Sequence, residues 1–212
     1  MPPGPVTRTY INQFGMKKQD YITVVSGLPR SGTSMMMSML EAAGFEVLQD
    51  GVRTADEDNP KGYYEFERVK KLTEGDVAWL PDAVGKVVKV ISRLLVELPP
   101  GYRYKVIWMR RNIDEIIASQ KKMLVRRGTY DDSVKDDEIR RMLLRHVEKT
   151  LSTIKERSGY IDLIFTNYNK LLGGSREEVD ALAHFLGGGV SADAMMPVVD
   201  KNLYRNRAGA KA

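Results

Sequence analysis

The segment YITVVSGLPRSGTS, residues 21–34, carries the strongest indication of the fold of this chain. It opens with a short β-branched run, Tyr21 to Val25, which is typical of a buried strand. After Gly32, apolar side chains recur at the helical spacing i, i+3, i+4 and i+7. These side chains belong to Met36, Met39, Leu40 and Ala43. The segment therefore predicts a strand, a glycine-bearing turn and a helix in direct succession.

Three more segments have the apolar composition of buried strands, and helical patterns separate them. They are residues 86–91, 104–109 and 160–165. Strands that alternate with helices indicate a parallel sheet covered by helices on both faces. We therefore predict an α/β fold of three layers, with a mostly parallel central sheet flanked by helices.

Two longer helices are predicted after the strand at 104–109. Asn112 can cap the first, and Glu115, three residues on, completes a capping box. Its apolar stripe contains Ile113, Ile116, Ile117 and Leu124. The second helix runs from about residue 135 to 157, with one apolar face. That face contains Ile139, Met142, Leu143, Val147, Leu151 and Ile154.

Length and composition predict one domain, since the chain has 212 residues of which 42% are hydrophobic. Residues 1–20 carry early Pro and Gly and no periodicity, so we expect an N-terminal arm, a domain over 21–200 and a basic tail over 201–212. The net charge is +5, and much of the excess lies in that tail. Elsewhere basic and acidic residues are mixed, so nucleic acid is not an expected partner.

The composition also favours a cytoplasmic protein. The chain has no cysteine, which excludes disulfides and thiolate metal sites and fits a reducing compartment. No run of eighteen apolar residues is present, and the N-terminus lacks the pattern of a signal peptide. We therefore expect no membrane span.

The turn at residues 27–34, called the glycine loop below, has the features of a P-loop-like anion site. A helix N-terminus offers unpaired backbone N–H groups and partial positive charge. Gly27 and Gly32 match the pattern G-x-x-x-x-G-K-[ST], but Thr33 occupies the lysine position. No predicted strand ends in an Asp placed to hold magnesium, so we expect no metal requirement. The alternative is that the two glycines only shape a turn.

Pro29-Arg30-Ser31-Gly32-Thr33 resembles the 5′-phosphosulfate loop of sulfotransferases that use 3′-phosphoadenosine 5′-phosphosulfate (PAPS). The resemblance implies that PAPS is the co-substrate, that PAP is the product, and that residues of the loop bind the nucleotide. Those residues are Pro29, Arg30, Ser31, Gly32, Thr33 and Ser34. A cation beside the oxygen between sulfur and phosphorus stabilises the charge that develops as that bond breaks. Arg30 is the residue predicted for that role.

A second part of the same resemblance concerns the 3′-phosphate of the nucleotide. The family holds this group with an Arg at a strand end and a Ser eight residues later, which fits Arg111 and Ser119. Alone, two such residues are surface positions more often than ligands. Tyr168 resembles the family's tyrosine near the nucleotide. The family's C-terminal Arg-Lys-Gly loop is missing, and Arg205 or Arg207 of the tail is a candidate replacement.

The acceptor needs a general base, and carboxylates cluster in residues 55–67. This stretch resembles the Asn-Pro-x-Gly-Tyr/Phe-x-Glu segment of bacterial sulfotransferases, which points to Glu65 as a catalytic residue. The rival carboxylates are Asp56, Glu57 and Asp58. His146 and His184 are interpreted as core-edge or surface residues.

Lys89 lies in a predicted buried strand, where its charge would be costly without a partner. Its partner is an anion in the active site, which would make Lys89 catalytic, or the side chain reaches water from an edge strand.

The predicted function is therefore transfer of a sulfuryl group from PAPS to a hydroxyl or amine of a small-molecule, glycan or peptide acceptor. Two alternatives remain open: a P-loop kinase of nucleotides or small molecules, and a non-catalytic nucleotide-binding module. Magnesium-dependent ATP binding distinguishes the first, and PAP binding without turnover distinguishes the second.

Overall fold

The sheet is built from four strands: β1 (Ile22–Gly27), β2 (Val87–Lys89), β3 (Tyr104–Arg110) and β4 (Ile161–Asn167). The coordinates are a computed structural model that describes residues 19–54, 56, 62–187 and 189–200. In this part of the chain the strand order is β2-β1-β3-β4, and all three pairings are parallel. The predicted mostly parallel sheet is confirmed.

Eight α-helices lie among the described residues, together with 3₁₀ helices over Glu67–Glu74 and Met196–Val198. The α-helices are α1 (Thr33–Ala42), α2 (Leu80–Ala83), α3 (Ser92–Leu95), α4 (Ile113–Arg126), α5 (Asp136–Glu156), α6 (Tyr168–Leu172), α7 (Arg176–Leu186) and α8 (Ala192–Met195).

Two hydrophobic cores lie on the two faces of the sheet, as the predicted three-layer arrangement requires. Successive side chains of a strand point to opposite faces. Val24 of β1 packs in the core shared with α2, α3 and α5, whereas Val25 packs in the core shared with α1, α7 and α8. The α/β fold is therefore confirmed with helices on both faces.

Helix α5 begins and ends within one residue of its predicted bounds, and α4 begins directly after its predicted cap. The Asn112 side chain accepts a hydrogen bond from the Asp114 backbone N–H, so Asn112 caps α4. The prediction for α5 was wrong at Met142, which is 54% exposed although it lies on the predicted apolar face. The fully buried positions of α5, Thr150 and Ile154, are in its C-terminal half, which packs toward the sheet.

The strand order creates a crevice at the carboxyl ends of β1 and β3. After β1 the chain crosses to β2 on one side, and it then returns past β1 to β3 on the other side. Ligands of open parallel sheets bind where the direction of the connections reverses in this way. The glycine loop follows β1 and Arg111 follows β3, so both candidate anion sites lie at this point.

Most of the predicted arm, residues 1–18, and all of the basic tail, including Arg205 and Arg207, lie outside the described residues. The proposed domain limits therefore stay predictions. None of the helices in the described part is both long and apolar enough to cross a membrane.

Candidate anion-binding site

Backbone conformation sets the path of the glycine loop between β1 and α1. Gly27 and Gly32 have φ values of 146° and 97°, and Arg30 is also left-handed at 71°. A positive φ is uncommon for a residue with a Cβ and costs about 1–2 kcal/mol. Gly32 is the N-cap of α1 and supplies no side-chain cap. The first N–H groups of α1 therefore face a turn whose shape depends on positive φ angles.

Both glycines are also required by close packing. A Cβ on Gly27 would lie 2.9 Å from the Met109 carbonyl oxygen, and one on Gly32 would lie 2.8 Å from Cε2 of Tyr168. Real Cβ atoms do not approach other atoms this closely without a shift of the neighbours. The predicted site residue Tyr168 therefore lies directly against the glycine loop.

Ser31 provides an indication that the loop accepts a ligand. The residue is completely buried, and its hydroxyl oxygen has no hydrogen-bond partner among the described residues. Buried hydroxyl groups are nearly always paired, because an unpaired one keeps the cost of leaving water. An oxyanion in the loop, together with a small shift of this hydroxyl, would satisfy it. The residues present therefore fit a phosphate or phosphosulfate group.

Lys89 brings a positive charge to the β2 side of the loop. Its ammonium group donates to the Tyr63 carbonyl and to the Ser34 hydroxyl, the latter at 3.3 Å. The residue is only 8% exposed, and burial lowers its pKa to about 8. β2 is an edge strand among the described residues, as the alternative for Lys89 requires, but little of the side chain is accessible to water in this arrangement.

Arg30 lies on the opposite, β3 side of the loop. Its Nε donates to the Ser119 hydroxyl over 3.0 Å, and Ser119 is buried on α4. Its backbone carbonyl accepts a hydrogen bond of 2.9 Å from Nη1 of Arg111. The structure thus brings Arg30, Arg111 and Ser119 together. Pro29, in contrast, is exposed at the outer edge of the loop.

Arg111 is held by a buried polar cluster. Its Nε pairs with Glu115 at 3.0 Å, and the two side chains are only 7% and 2% exposed. Asn169 donates to both Glu115 carboxylate oxygens at 3.2 Å. The Arg111 guanidinium also lies 4.6 Å from the centre of the Tyr168 ring. Burial raises the pKa of Tyr168, so its hydroxyl stays neutral at physiological pH.

Glu65 lies near Lys89 but is occupied by other cations. Its carboxylate is 2.6 Å from Nη1 of Arg53 and 3.7 Å from Nζ of Lys70, and it is 19% exposed. The negative charge of Glu65 acts on Lys89 and partly opposes the effect of burial on its pKa. Glu65 and Lys89 therefore belong to the same side of the site.

The rival carboxylate Asp56 lies in the same network. Its Oδ1 accepts a hydrogen bond of 2.6 Å from the Tyr63 hydroxyl. Its Oδ2 lies 3.7 Å from Nη2 of Arg127, which follows α4. The Arg53 guanidinium stacks 3.3 Å from the centre of the Tyr63 ring. The other two rivals, Glu57 and Asp58, lie outside the described residues.

The histidines agree with their sequence interpretation. Nε2 of His146 is 2.8 Å from the hydroxyl of Ser92, a buried residue at the start of α3. Burial, together with Arg93, lowers the pKa of the half-buried His146. His184 lies exposed on α7. His146 is therefore a core-edge residue engaged by Ser92, and His184 is a surface residue.

Sequence reasoning missed two residues of this site. Glu115 was read as a capping residue, and because Arg111 precedes the cap of α4, their spacing of four was not the signal of a pair on a helix. Asn169 follows Tyr168 and had no signal, because only the packing of α6 brings it to Glu115.

In the described ranges no three His, Asp or Glu side chains gather as metal ligands would.

Comparison with solved structures finds 20 similar chains. No family model matches the chain, and no curated protein matches it. One similar structure is retinol dehydratase in complex with androsterone and inactive cofactor PAP, at 17% identity and a TM-score of 0.49, covering 91% of this chain and 66% of that one. Another is sulfotransferase STF9 from Mycobacterium avium, at 9% identity and a TM-score of 0.48, covering 90% of this chain and 69% of that one.

The chain therefore spans slightly less than two thirds of the first of these structures. The description of the first structure names PAP, and that of the second names a sulfotransferase.

Proposed function

We propose that this protein transfers a sulfuryl group from PAPS to a hydroxyl or amine acceptor. The observation that carries the proposal is the position of two cationic groups on the two sides of one glycine loop. Lys89 with Ser34 lies on the β2 side, and Arg30 with Arg111 and Ser119 lies on the β3 side. A nucleotide with anionic groups at its 5′ and 3′ positions would complement this arrangement, with one anionic group near each set of cations.

The loop residues would hold the 5′ end of the nucleotide. The first N–H groups of α1 and the unpaired Ser31 hydroxyl are donors, and Tyr168 closes the far side of Gly32. When bound, PAPS supplies an activated sulfuryl group on a nucleotide leaving group. The backbone of residues 31–34 orients that group, because its turn is fixed by the packing of both glycines.

Lys89 is the cation that we place beside the reacting end of the nucleotide. Protonated Lys89 stabilises negative charge that develops near Ser34, and its burial strengthens this effect by excluding water. The Tyr63 carbonyl holds the ammonium group in place before the nucleotide binds. Charge stabilisation by a preformed donor of this kind is worth roughly a hundredfold or more in rate.

Glu65 is the proposed general base for the acceptor. It lies within electrostatic reach of Lys89, and the Arg53 ion pair fixes its carboxylate. Taking a proton from the acceptor has to compete with that ion pair. The other carboxylate oxygen lies 3.7 Å from Nζ of Lys70, so an acceptor hydroxyl or amine has to take the place of Lys70 to hydrogen-bond there. Small molecules, glycans and peptides all carry such groups, so each of these classes is a proposed acceptor. We also propose a cytoplasmic location for the protein.

Calorimetry with PAP in the presence of EDTA tests the cofactor half of this function. We expect a dissociation constant in the micromolar range or tighter, because charge-assisted hydrogen bonds form at both ends of the nucleotide. Binding of ATP that requires magnesium and exceeds that of PAP would favour the kinase alternative.

A screen of acceptors with labelled PAPS then tests the transfer itself. The panel should contain phenols, alkyl alcohols, amines, sugars and tyrosine peptides. Incorporation of label into any acceptor supports the proposal. Tight PAP binding without transfer to any member of the panel would favour the non-catalytic module.

A further inference from the structure

We propose that Tyr64 is a positioning residue for Lys89. Its left-handed backbone aims the Tyr63 carbonyl at the Lys89 ammonium group, and its side chain anchors that backbone to α1. The sequence resemblance gives Tyr64 no role, because the Asn-Pro-x-Gly-Tyr/Phe-x-Glu segment leaves its position open. The inference rests on the proposed function only for the part that Lys89 plays in transfer.

The backbone conformation of Tyr64 is uncommon for a residue with a large side chain. Its φ is 52°, and among the described residues Arg30 is the only other residue besides glycine with a positive φ. Such conformations are unfavourable for residues with a Cβ, and they persist only where surrounding contacts fix them. The contacts of Tyr64 and of its neighbour Tyr63 therefore have to hold this conformation against its cost.

The left-handed conformation sets the direction of the Tyr63 carbonyl. The peptide between Tyr63 and Tyr64 is planar, so ψ of Tyr63 and φ of Tyr64 together decide to which side this carbonyl points. The carbonyl accepts a hydrogen bond from the ammonium group of Lys89, which is only 8% exposed. A negative φ at Tyr64 would turn the carbonyl away while the chain keeps its path. Lys89 would then lose a buried acceptor.

The side chain of Tyr64 attaches this backbone to α1. Its hydroxyl accepts a hydrogen bond of 3.0 Å from Ser38 and donates one of 2.7 Å to Glu41. Ser34, Ser38 and Glu41 lie on one face of α1, because they are four and three residues apart. Ser34 is the other partner of Lys89, at 3.3 Å. One face of α1 thus holds Lys89 directly through Ser34 and indirectly through Tyr64.

The charge of Lys89 should therefore depend on the conformation of Tyr64. Burial disfavours the charged form of Lys89 most strongly, whereas Glu65 favours that form and Arg53 opposes it. A buried ammonium group needs hydrogen-bond acceptors to remain charged. Loss of the Tyr63 carbonyl would lower the pKa of Lys89 further, and a loss of packing at Tyr64 alone would not.

Tyr64→Gly and Tyr64→Val form a matched pair of variants. Both remove the ring and the hydroxyl, but only glycine adopts a positive φ without strain. The readout is the titration of Lys89 without nucleotide, followed by NMR of carbon-13-labelled lysine from about pH 5 to pH 10, with the signal assigned by its loss in Lys89→Met. We expect the midpoint to fall by about one to two pH units in Tyr64→Val, the scale of a hydrogen bond to a charged group. Tyr64→Gly should stay close to the unaltered protein.

Equal midpoints in Tyr64→Gly and Tyr64→Val would overturn the proposal, because the backbone conformation would then have no effect on Lys89. Ser38→Ala tests the anchor without altering Tyr64 and should lower the midpoint by a smaller amount, whereas an unchanged midpoint would overturn the role of α1. Thermal unfolding checks each fold, and Tyr64→Ala replaces an unstable Tyr64→Val, since its Cβ also disfavours a positive φ. The titration needs no nucleotide, so its outcome is independent of the PAP binding that tests the proposed function.

Discussion

Lys89 makes the affinity for PAP depend on pH above neutrality. Burial lowers its pKa to about 8 in the free protein, compared with 10.5 for an ordinary lysine. A bound 5′-phosphate favours the charged form of Lys89, so binding should raise the pKa of Lys89 back toward its ordinary value. The full difference corresponds to roughly 3 kcal/mol, or about 300-fold in affinity. We therefore expect the association constant to fall about tenfold per pH unit above pH 8, up to this limit.

The measurement is calorimetry with PAP from pH 7 to pH 10. The phosphate groups of PAP, with second pKa values near 6, do not change charge over this range. Lys89→Arg is the control, because arginine stays charged throughout. Its affinity should be nearly constant with pH, even if it is lower at pH 7. A flat profile in the unaltered protein, or the same decline in Lys89→Arg, would refute the role of Lys89.

The same pKa predicts an effect on stability. Because the folded protein binds the Lys89 proton less tightly than the unfolded chain, charged Lys89 destabilises the fold below pH 8. This cost decreases as pH rises from 8 to 10.5 and is absent above that. Lys89→Met should therefore gain unfolding free energy relative to the unaltered protein at pH 7, up to about 3 kcal/mol less the lost hydrogen bonds. Urea unfolding should show that the gain in unfolding free energy of Lys89→Met is smaller at pH 10 than at pH 7.

Two further predictions concern the loop and the base. Gly32→Ala should lower the unfolding free energy by about 2–5 kcal/mol, because the new methyl group strains a left-handed residue and overlaps Tyr168. Urea unfolding should show a loss of only about 1–2 kcal/mol for Gly75→Ala, which has a similar φ but open space around it. Glu65→Gln should lower turnover about a hundredfold without changing PAP affinity, whereas Asp56→Asn should stay active. The opposite result in the transfer assay would place the base at Asp56.

Local sequence patterns predicted most of the fold. The strand at β1, the turn and α1 follow from a β-branched run, two glycines and a helical period within residues 21–43, so neighbouring residues alone specify them. The cap of α4 at Asn112 is local for the same reason. The exposed Met142 was predicted wrongly because periodicity identifies an apolar face but not how much of a helix another element covers. The roles predicted for Glu65, Tyr168 and Ser119 stay predictions.

The loop, the role of its glycines and the type of fold could be predicted from local sequence, because each depends on conformational preferences over a few residues. The partners of the charged side chains, in contrast, depend on packing between segments that are distant in sequence. Arg30 contacts Ser119, 89 residues away in sequence, and Lys89 contacts the Tyr63 carbonyl, 26 residues away. The order of the strands determines which helix faces each side of the loop, and no local pattern encodes that order. Long, flexible cationic side chains take the partners that this packing provides, which is why the direction of Arg30 could not be read from its motif.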